Sequence, residues 1–533
     1  MLKIKITLVL SFIYFISYCQ NLNITFRSQL QYPGETCANI FGYVDSLGNE
    51  YALVGVSNGM SIVNVTDPDN PFQVIQLPWP AGPNQLWKEI KTYKNYAYVV
   101  SEAGSGVQIA DLRHLPSTNV PFHYWTPVIG AETLNSIHAL HVDTTKGILY
   151  LYGSNVGNKG AIAADLSNPW NPVYLGKYDG AYVHDGYADN DTLFAAEIYN
   201  GVCNIIDFTN KTNPTIIGSI PTPGNFTHNS WLSPDKKTVF TTDEVGNSFL
   251  VAYDISNLSN INELDRIQSN PGTNSIVHNT HIKSNNYAVT SWYKDGITIV
   301  DVSNPNNMVQ VGNYDTFTAG AGNGFDGAWG VYPFLPSGNI VVSNIDEGLF
   351  VLSPTYVRGC YLEGNVKDSI TLQNLNGVSV QIFPVTQTNT LSANGGNYLT
   401  GYSTAGIYSV KFTKTGYQSR TINNVSLLNG QTTFLDVKLL PNSNGLNNSL
   451  QAEENGFFVS QTIFKEKTFL KFEKISRSEN DEIKIFDING KLIESIKTKN
   501  CEEIIEIGYD WRPGIYFIYF GSKNSIKLIK SEN

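Results

Sequence analysis

GMSIVNVTDPDNP (Gly59–Pro71), GAIAADLSNPWNP (Gly160–Pro172), GVCNIIDFTNKTNP (Gly201–Pro214) and GITIVDVSNPNN (Gly296–Asn307) are four copies of one phrase. Each is a glycine, a β-branched strand closing on an acid or amide, and a polar turn rich in Asn and Pro. Working outward, the phrase is the third part of a unit that recurs seven times between Ala38 and Leu352, with two apolar strands before it and another after it. A period of roughly 40 to 50 residues built only from strands predicts a radial β-propeller, because a lone four-stranded blade cannot bury both of its faces until a neighbour stacks on it.

Alternation and turn signals set the strands of the fourth blade at Tyr182–Tyr187, Leu193–Ile198, Val202–Phe208 and Thr215–Ile220. The seventh blade runs from Gly348–Leu352 into Ser353-Pro354 with no outer strand of its own. Asn23–Leu30 (NITFRSQL) alternates like a strand and has no blade, so it is expected to supply the missing one and remove an exposed edge. The acids that end the third strands, Asp111, Asp165, Asp207, Asp254 and Asp301, resemble a ligand set only when gathered together. Each precedes a turn, and a carboxylate there accepts from nearby backbone N–H groups.

Residues 1–19 read as a signal peptide: Lys3 and Lys5 precede the apolar stretch Ile6–Ile16, and cleavage is expected before Gln20. Ile16-Ser17-Tyr18-Cys19 also faintly resembles a lipoprotein box, against which the bulky Tyr18 argues. No later stretch has the roughly 20 apolar residues of a membrane-spanning helix. The formal net charge of −11 disfavours nucleic acid as a partner, since phosphate binding relies on clustered Lys and Arg. Cys37, Cys203, Cys360 and Cys501 are too sparse for a disulfide scaffold, although a bridge from Cys37 to Cys360 would close the ring.

The propeller is assigned to residues 20–356, and Gly59–Val65 and Gly296–Val302 within it resemble LVIVD repeats of the choice-of-anchor B family of bacterial surface proteins. That resemblance implies fold and location without a reaction. Residues 357–440, with Gly364-Asn365-Val366, Gly377–Val380, Gly406–Val410 and Leu435–Leu439, resemble the carboxypeptidase regulatory-like domain, which implies a transthyretin-like β-sandwich acting as spacer or accessory module. Residues 441–455 form an Asn/Ser/Glu-rich linker. Residues 456–533, with Ile483–Ile493, Trp511–Ile518 and Ile526–Lys530, resemble the C-terminal sorting domain of the Bacteroidetes type IX secretion system, although the usual Tyr-Pro-Asn-Pro opening is absent before Phe457. This second resemblance implies a partner in the type IX machinery, removal of the domain, and a product released or attached at the outer-membrane surface. The expected architecture is therefore all-β: a seven-bladed β-propeller followed by two small β-sandwiches.

All eight histidines lie in the propeller, and six follow a motif. Aligned inner strands set His138, His184, His228 and His278 at one position, with Lys88 there in blade two and Asp326 in blade seven. Three residues on come His141, Tyr187, Trp231, His281 and Trp329. Loops between second and third strands share that end of the channel and carry Glu102, Glu197, Asp243, Glu244, Asp295, Asp346 and Glu347. Converging imidazoles and carboxylates suit a divalent transition metal (Zn²⁺, Fe²⁺ or Mn²⁺) on His138, His184, His228 and His278, or a ligand held by the remaining ring. The other reading is a hydrogen-bond network that staples each blade, pairing His184 with Glu197 and His228 with Asp243.

Asp185, Asp189 and Asp191 straddle a strand and its turn, so turn chemistry is expected there rather than a Ca²⁺ loop. There is no Gly-x-Ser-x-Gly and no His-Glu-x-x-His, so neither serine hydrolase nor zincin chemistry has a motif. Two functions remain. The first is a secreted propeller that binds a glycan, peptide or small ligand at its top face. The second is a metal-dependent enzyme of hydrolase or lyase type using the His/Asp/Glu ring.

Overall fold

The computed structural model describes residues 21–80, 86–385, 390–393, 395–442, 457–459, 463–472, 482–497, 504–520 and 524–531. The expected signal peptide, residues 443–455 of the linker and Cys501 lie outside the described residues. The chain divides into two compact units, Met1–Gly359 and Cys360–Asn533.

The repeated phrase folds as its period requires. The first unit carries seven four-stranded antiparallel sheets. Their inner strands are Cys37–Val44, Glu89–Tyr93, Ala139–Asp143, Asp185–Asp189, Thr227–Leu232, Thr280–Lys283 and Ala328–Tyr332, and each neighbours the inner strands of the blades on either side. The core lies between blades. Tyr51, Leu53, Met60 and Ile62 of blade one are buried with Ile90, Ala97, Val99 and Ala110 of blade two. Fully burying an aliphatic side chain of this size is worth about 1.5–3 kcal/mol, which neither blade gains alone.

The leading glycine of the phrase has a steric reason. A Cβ on Gly59 or Gly160 would lie 2.0 Å from the outer-strand carbonyl oxygen of Leu77 or Tyr178. The phrase-ending acids make the expected turn bonds. Asp165 accepts from Ser167 N at 2.9 Å, Asp207 from Thr209 N at 2.8 Å and Asp254 from Ser256 N at 2.9 Å. A register shift follows between third and outer strands in blades one, three, four, five and six, the bulge that adds twist where the sheet meets solvent.

Ile24–Leu30 pairs antiparallel with Gly348–Pro354, running from Ile24 opposite Pro354 to Leu30 opposite Leu349, so the first strand of the chain closes the last blade. In blade four the inner strand begins at Asp185 rather than Tyr182, because the Val183 N–H is spent on Lys159 O of the preceding blade at 3.1 Å. Cys37, Cys203 and Cys360 are free thiols, so the conceivable bridge from Cys37 to Cys360 is not formed.

The second unit holds two sandwiches. In the first, Asn397–Tyr402, Cys360–Asp368, Thr432–Phe434 and Val437–Leu439 face Thr390–Leu391, Ser379–Phe383, Gly406–Thr413 and Arg420–Leu427 across a core that includes Leu362, Val380, Phe412 and Leu427. In the second, a three-stranded and a five-stranded sheet enclose Leu470, Ile483, Ile485, Trp511 and Ile518. The protein is all-β, a seven-bladed propeller followed by two small sandwiches.

Candidate functional site

Three rows of side chains line the channel, each contributed by one position of the inner strand. In the first row His138, His184, His228 and His278 form a continuous arc, with ring centroids 4.0, 4.6 and 4.3 Å apart. Trp329 continues the arc 5.0 Å from His278, which donates from Nδ1 to the Trp329 carbonyl at 2.5 Å. Trp329 therefore belongs beside the histidines and not three residues below them. Both Thr227–His228–Asn229 and Ala328–Trp329–Gly330 bracket a register shift, which makes Trp329 the equivalent of His228 and Tyr332 that of Trp231. Asp326, expected at the histidine position, instead lies ahead of the strand, 52% exposed and paired with Lys294 at 3.0 Å. Lys88 keeps its row but sends its ammonium to the Ser57 carbonyl at 3.1 Å, and burial pulls its pKa down to about 8.

The carboxylates meet the arc differently from the same-blade pairing. Glu197 accepts from Tyr178 Oη at 2.9 Å and Asn200 Nδ2 at 2.8 Å, and Asp243 takes Thr222 Oγ1 and the Gly224 and Phe226 N–H groups. Neither bonds its blade's histidine, so the staple pairs His184–Glu197 and His228–Asp243 are not formed. Glu102 reaches from blade two to Nδ1 of His138 in blade three at 2.7 Å. Glu244 stands between His228 and His278, its oxygens 3.8 Å from Nε2 of the first and 3.7 Å from Nε2 of the second. Tyr293 Oη donates to Glu244 at 2.6 Å.

Burial dominates the electrostatics. It holds His184 well below the ordinary imidazole range, with the neighbouring imidazoles adding to the effect, and pulls His228 and His278 to about 3. His138 is the exception: desolvation opposes its charge, but the Glu102 hydrogen bond and charge outweigh it and the pKa rises. Nδ1 of His184 and of His228 is buried and makes no close hydrogen bond, although the backbone of His228 and of His278, respectively, lies beside each ring.

One position along lies a polar row that the alignment of histidines passed over. Asn39 donates to Glu89, Asn229 Nδ2 donates to Asp185 at 2.7 Å, and Lys91 Nζ sits 3.6 Å from Glu89. Burial raises the pKa of both Glu89 and Asp185. The row's signal in the sequence is a polar residue directly after the histidine position, as in Asn39, Glu89, Asp185, Asn229 and Asn279. Asp185 is thus a channel residue. Asp189 pairs with Lys236 and Asp191 with Lys211, both at 2.6 Å, so the three acids form no Ca²⁺ loop.

The third row is aromatic: His141, Tyr187, Trp231 and His281 follow one another at 4.6, 4.8 and 4.5 Å, with Phe334 against His281 and Trp231. Between the polar and aromatic rows is a small cavity lined in part by Lys91, Asp185, Asn279 and His281. At the opposite end, exposed aromatics pack on the first row or on the rings next to it. Trp87, 43% exposed, lies 4.9 Å from Trp329. Phe325, 56% exposed, lies 5.3 Å from Tyr293, and Tyr199, 76% exposed, lies 5.1 Å from Tyr182. The channel mouth therefore has acids and imidazoles at its floor and three exposed rings at its rim.

Residues 361–440 match the carboxypeptidase regulatory-like domain, and residues 283–316 match the LVIVD repeat. The LVIVD match covers the second to fourth strands of blade six. Among solved structures, the β-propeller domain of Cps50 (Swd1) from Myceliophteria thermophila aligns over 60% of this chain and 100% of its own, at 10% identity and a TM-score of 0.42. No curated protein matches the chain. The chain thus carries an LVIVD repeat in its propeller and a carboxypeptidase regulatory-like domain after it.

Proposed function

We propose that this is an exported propeller of the choice-of-anchor B type that binds a ligand at the mouth of its central channel, with a glycan as the favoured class over a peptide or other small molecule. The observation that carries the reading is the rim of Trp87, Phe325 and Tyr199 around the Glu102 and Glu244 carboxylates. Exposed rings offer flat apolar faces to sugar C–H groups, and carboxylates accept from sugar hydroxyls. A large ring left exposed beside a buried polar cluster forgoes burial energy that a bound ligand would restore.

Export rests on the amino-terminal signal and on the resemblance of residues 456–533 to type IX sorting domains, which makes that secretion machinery the partner of the last domain. The product is then secreted or held at the outer-membrane surface. A glycan array probed with the purified protein tests the reading. A hit that quenches tryptophan fluorescence in wild type, and weakens at least tenfold in Trp87→Ala, is the expected result. Absence of any glycan hit, or a hit indifferent to Trp87→Ala and Tyr199→Ala, overturns it.

A further inference from the structure

We propose that His184, His228 and Glu244 bind a single divalent transition metal, with zinc the best match to the donor set. One ligand atom from each residue lies within 4.8 Å of the other two. A tetrahedral zinc with bonds of about 2.0–2.1 Å to nitrogen and oxygen needs donors about 3.3 Å apart, so side-chain adjustments of about 1 Å close the site.

Two features of the surroundings point to a cation rather than to packing. The first is Glu244. Both of its oxygens face imidazole Nε2 atoms, of His228 and His278, at 3.8 and 3.7 Å, beyond hydrogen-bond reach. His228, the ligand facing one of those oxygens, has the backbone of His278 beside its ring to take the Nδ1 proton, so in its neutral form Nε2 is the lone pair toward the carboxylate, as it is for His278 with Nδ1 on the Trp329 carbonyl. Two acceptors facing each other in a buried site repel, and a cation between them relieves the conflict. The second is the pair of buried imidazoles: the residues His184 and His228 are 8% and 4% exposed, and each ring has the next blade's backbone, at His228 and at His278, beside it to take an Nδ1 proton. That leaves Nε2 as the lone-pair nitrogen, the form in which a histidine with its other ring nitrogen on a carbonyl binds a metal.

The supporting shell is already in place. Tyr293 Oη orients Glu244, as the outer partners of metal ligands do. The donor atoms that lie within 4.8 Å of one another include none from His138. Three protein donors leave a four-coordinate zinc one position for water or for a ligand entering the mouth.

The site goes beyond the glycan reading, and its test does not involve a glycan. Untagged full-length protein is stripped with chelator, titrated with Zn²⁺ alone, and separately loaded with Co²⁺. The expected results are one zinc per chain and the intense visible bands of tetrahedral cobalt. Glu244→Gln and His228→Gln should each weaken zinc at least 100-fold with the circular dichroism of the blades retained, whereas His123→Gln, in an outer strand where the ring meets the Trp170 carbonyl, should bind as wild type does. No stoichiometric zinc in wild type, or equal zinc in Glu244→Gln and wild type, overturns the proposal. Should His228→Gln fail to fold, Glu244→Gln and the cobalt spectrum still decide it.

Discussion

Glu102 of blade two hydrogen-bonds His138 of blade three at 2.7 Å, so the acids at the channel mouth couple neighbouring blades where same-blade staples had been the alternative. The pair is half-open, with side-chain exposures of 43% for Glu102 and 17% for His138. Solvent screening therefore limits its worth to about 1 kcal/mol. A double-mutant cycle of Glu102→Gln and His138→Gln, read by thermal unfolding, should show coupling of that size; additive effects would mean the contact contributes nothing.

Gly160→Ala should destabilise the propeller by about 1–3 kcal/mol, because the new methyl overlaps the Tyr178 carbonyl and backbone must move to admit it. Gly48→Ala serves as the contrast: its position has no neighbour within 4 Å, so only its positive φ of 85° opposes the change. Equilibrium urea unfolding of both variants checks the ranking, with the larger loss expected at Gly160.

Removing residues 21–30 should leave Gly348–Pro354 as an unpaired edge. The expected outcome is a lower melting temperature and aggregation visible by light scattering. A truncated propeller that melts like the intact one would show that closure by this strand is dispensable.

The aromatic row makes stability depend on acid. Burial pulls His141 from an ordinary 6.5 to about 3 and holds His281 well below its ordinary value. Between those limits the unfolded chain binds protons that the folded one does not, so stability is full above pH 6.5 and falls as pH drops from 6.5 toward 3. Urea midpoints at pH 7.5, 6 and 4.5 should decrease in that order, and His141→Gln should flatten the slope.

The proposed type IX processing predicts a mature protein that ends within residues 441–455. Peptide mass spectrometry of secreted material should find no fragment containing Trp511–Tyr516. Their recovery from the mature surface form would count against the sorting role.

By itself the sequence determined the repeat, and with it the blade count, the turn role of Asp165, Asp207 and Asp254, and the closure by Ile24–Leu30. These are legible because strand alternation, turn residues and an unpaired edge are local or one-to-one constraints. It also placed four histidines in one row, since inner strands of like register present like positions to the axis. Tertiary structure alone decided which groups meet. Trp329 moved into the histidine row because its strand carries the same register shift at the same place as that of His228, so blade seven aligns three residues further along than the motif suggests. Glu244, and not Asp243, came to face His228, while Glu102 crossed to the next blade, because inner-strand side chains pack against their neighbours around the ring and not only along their own sheet. The polar row of Asn39, Glu89, Asp185 and Asn229 was written in the sequence but unreadable there, since only closure of the ring brings residues from separate blades within hydrogen-bond distance.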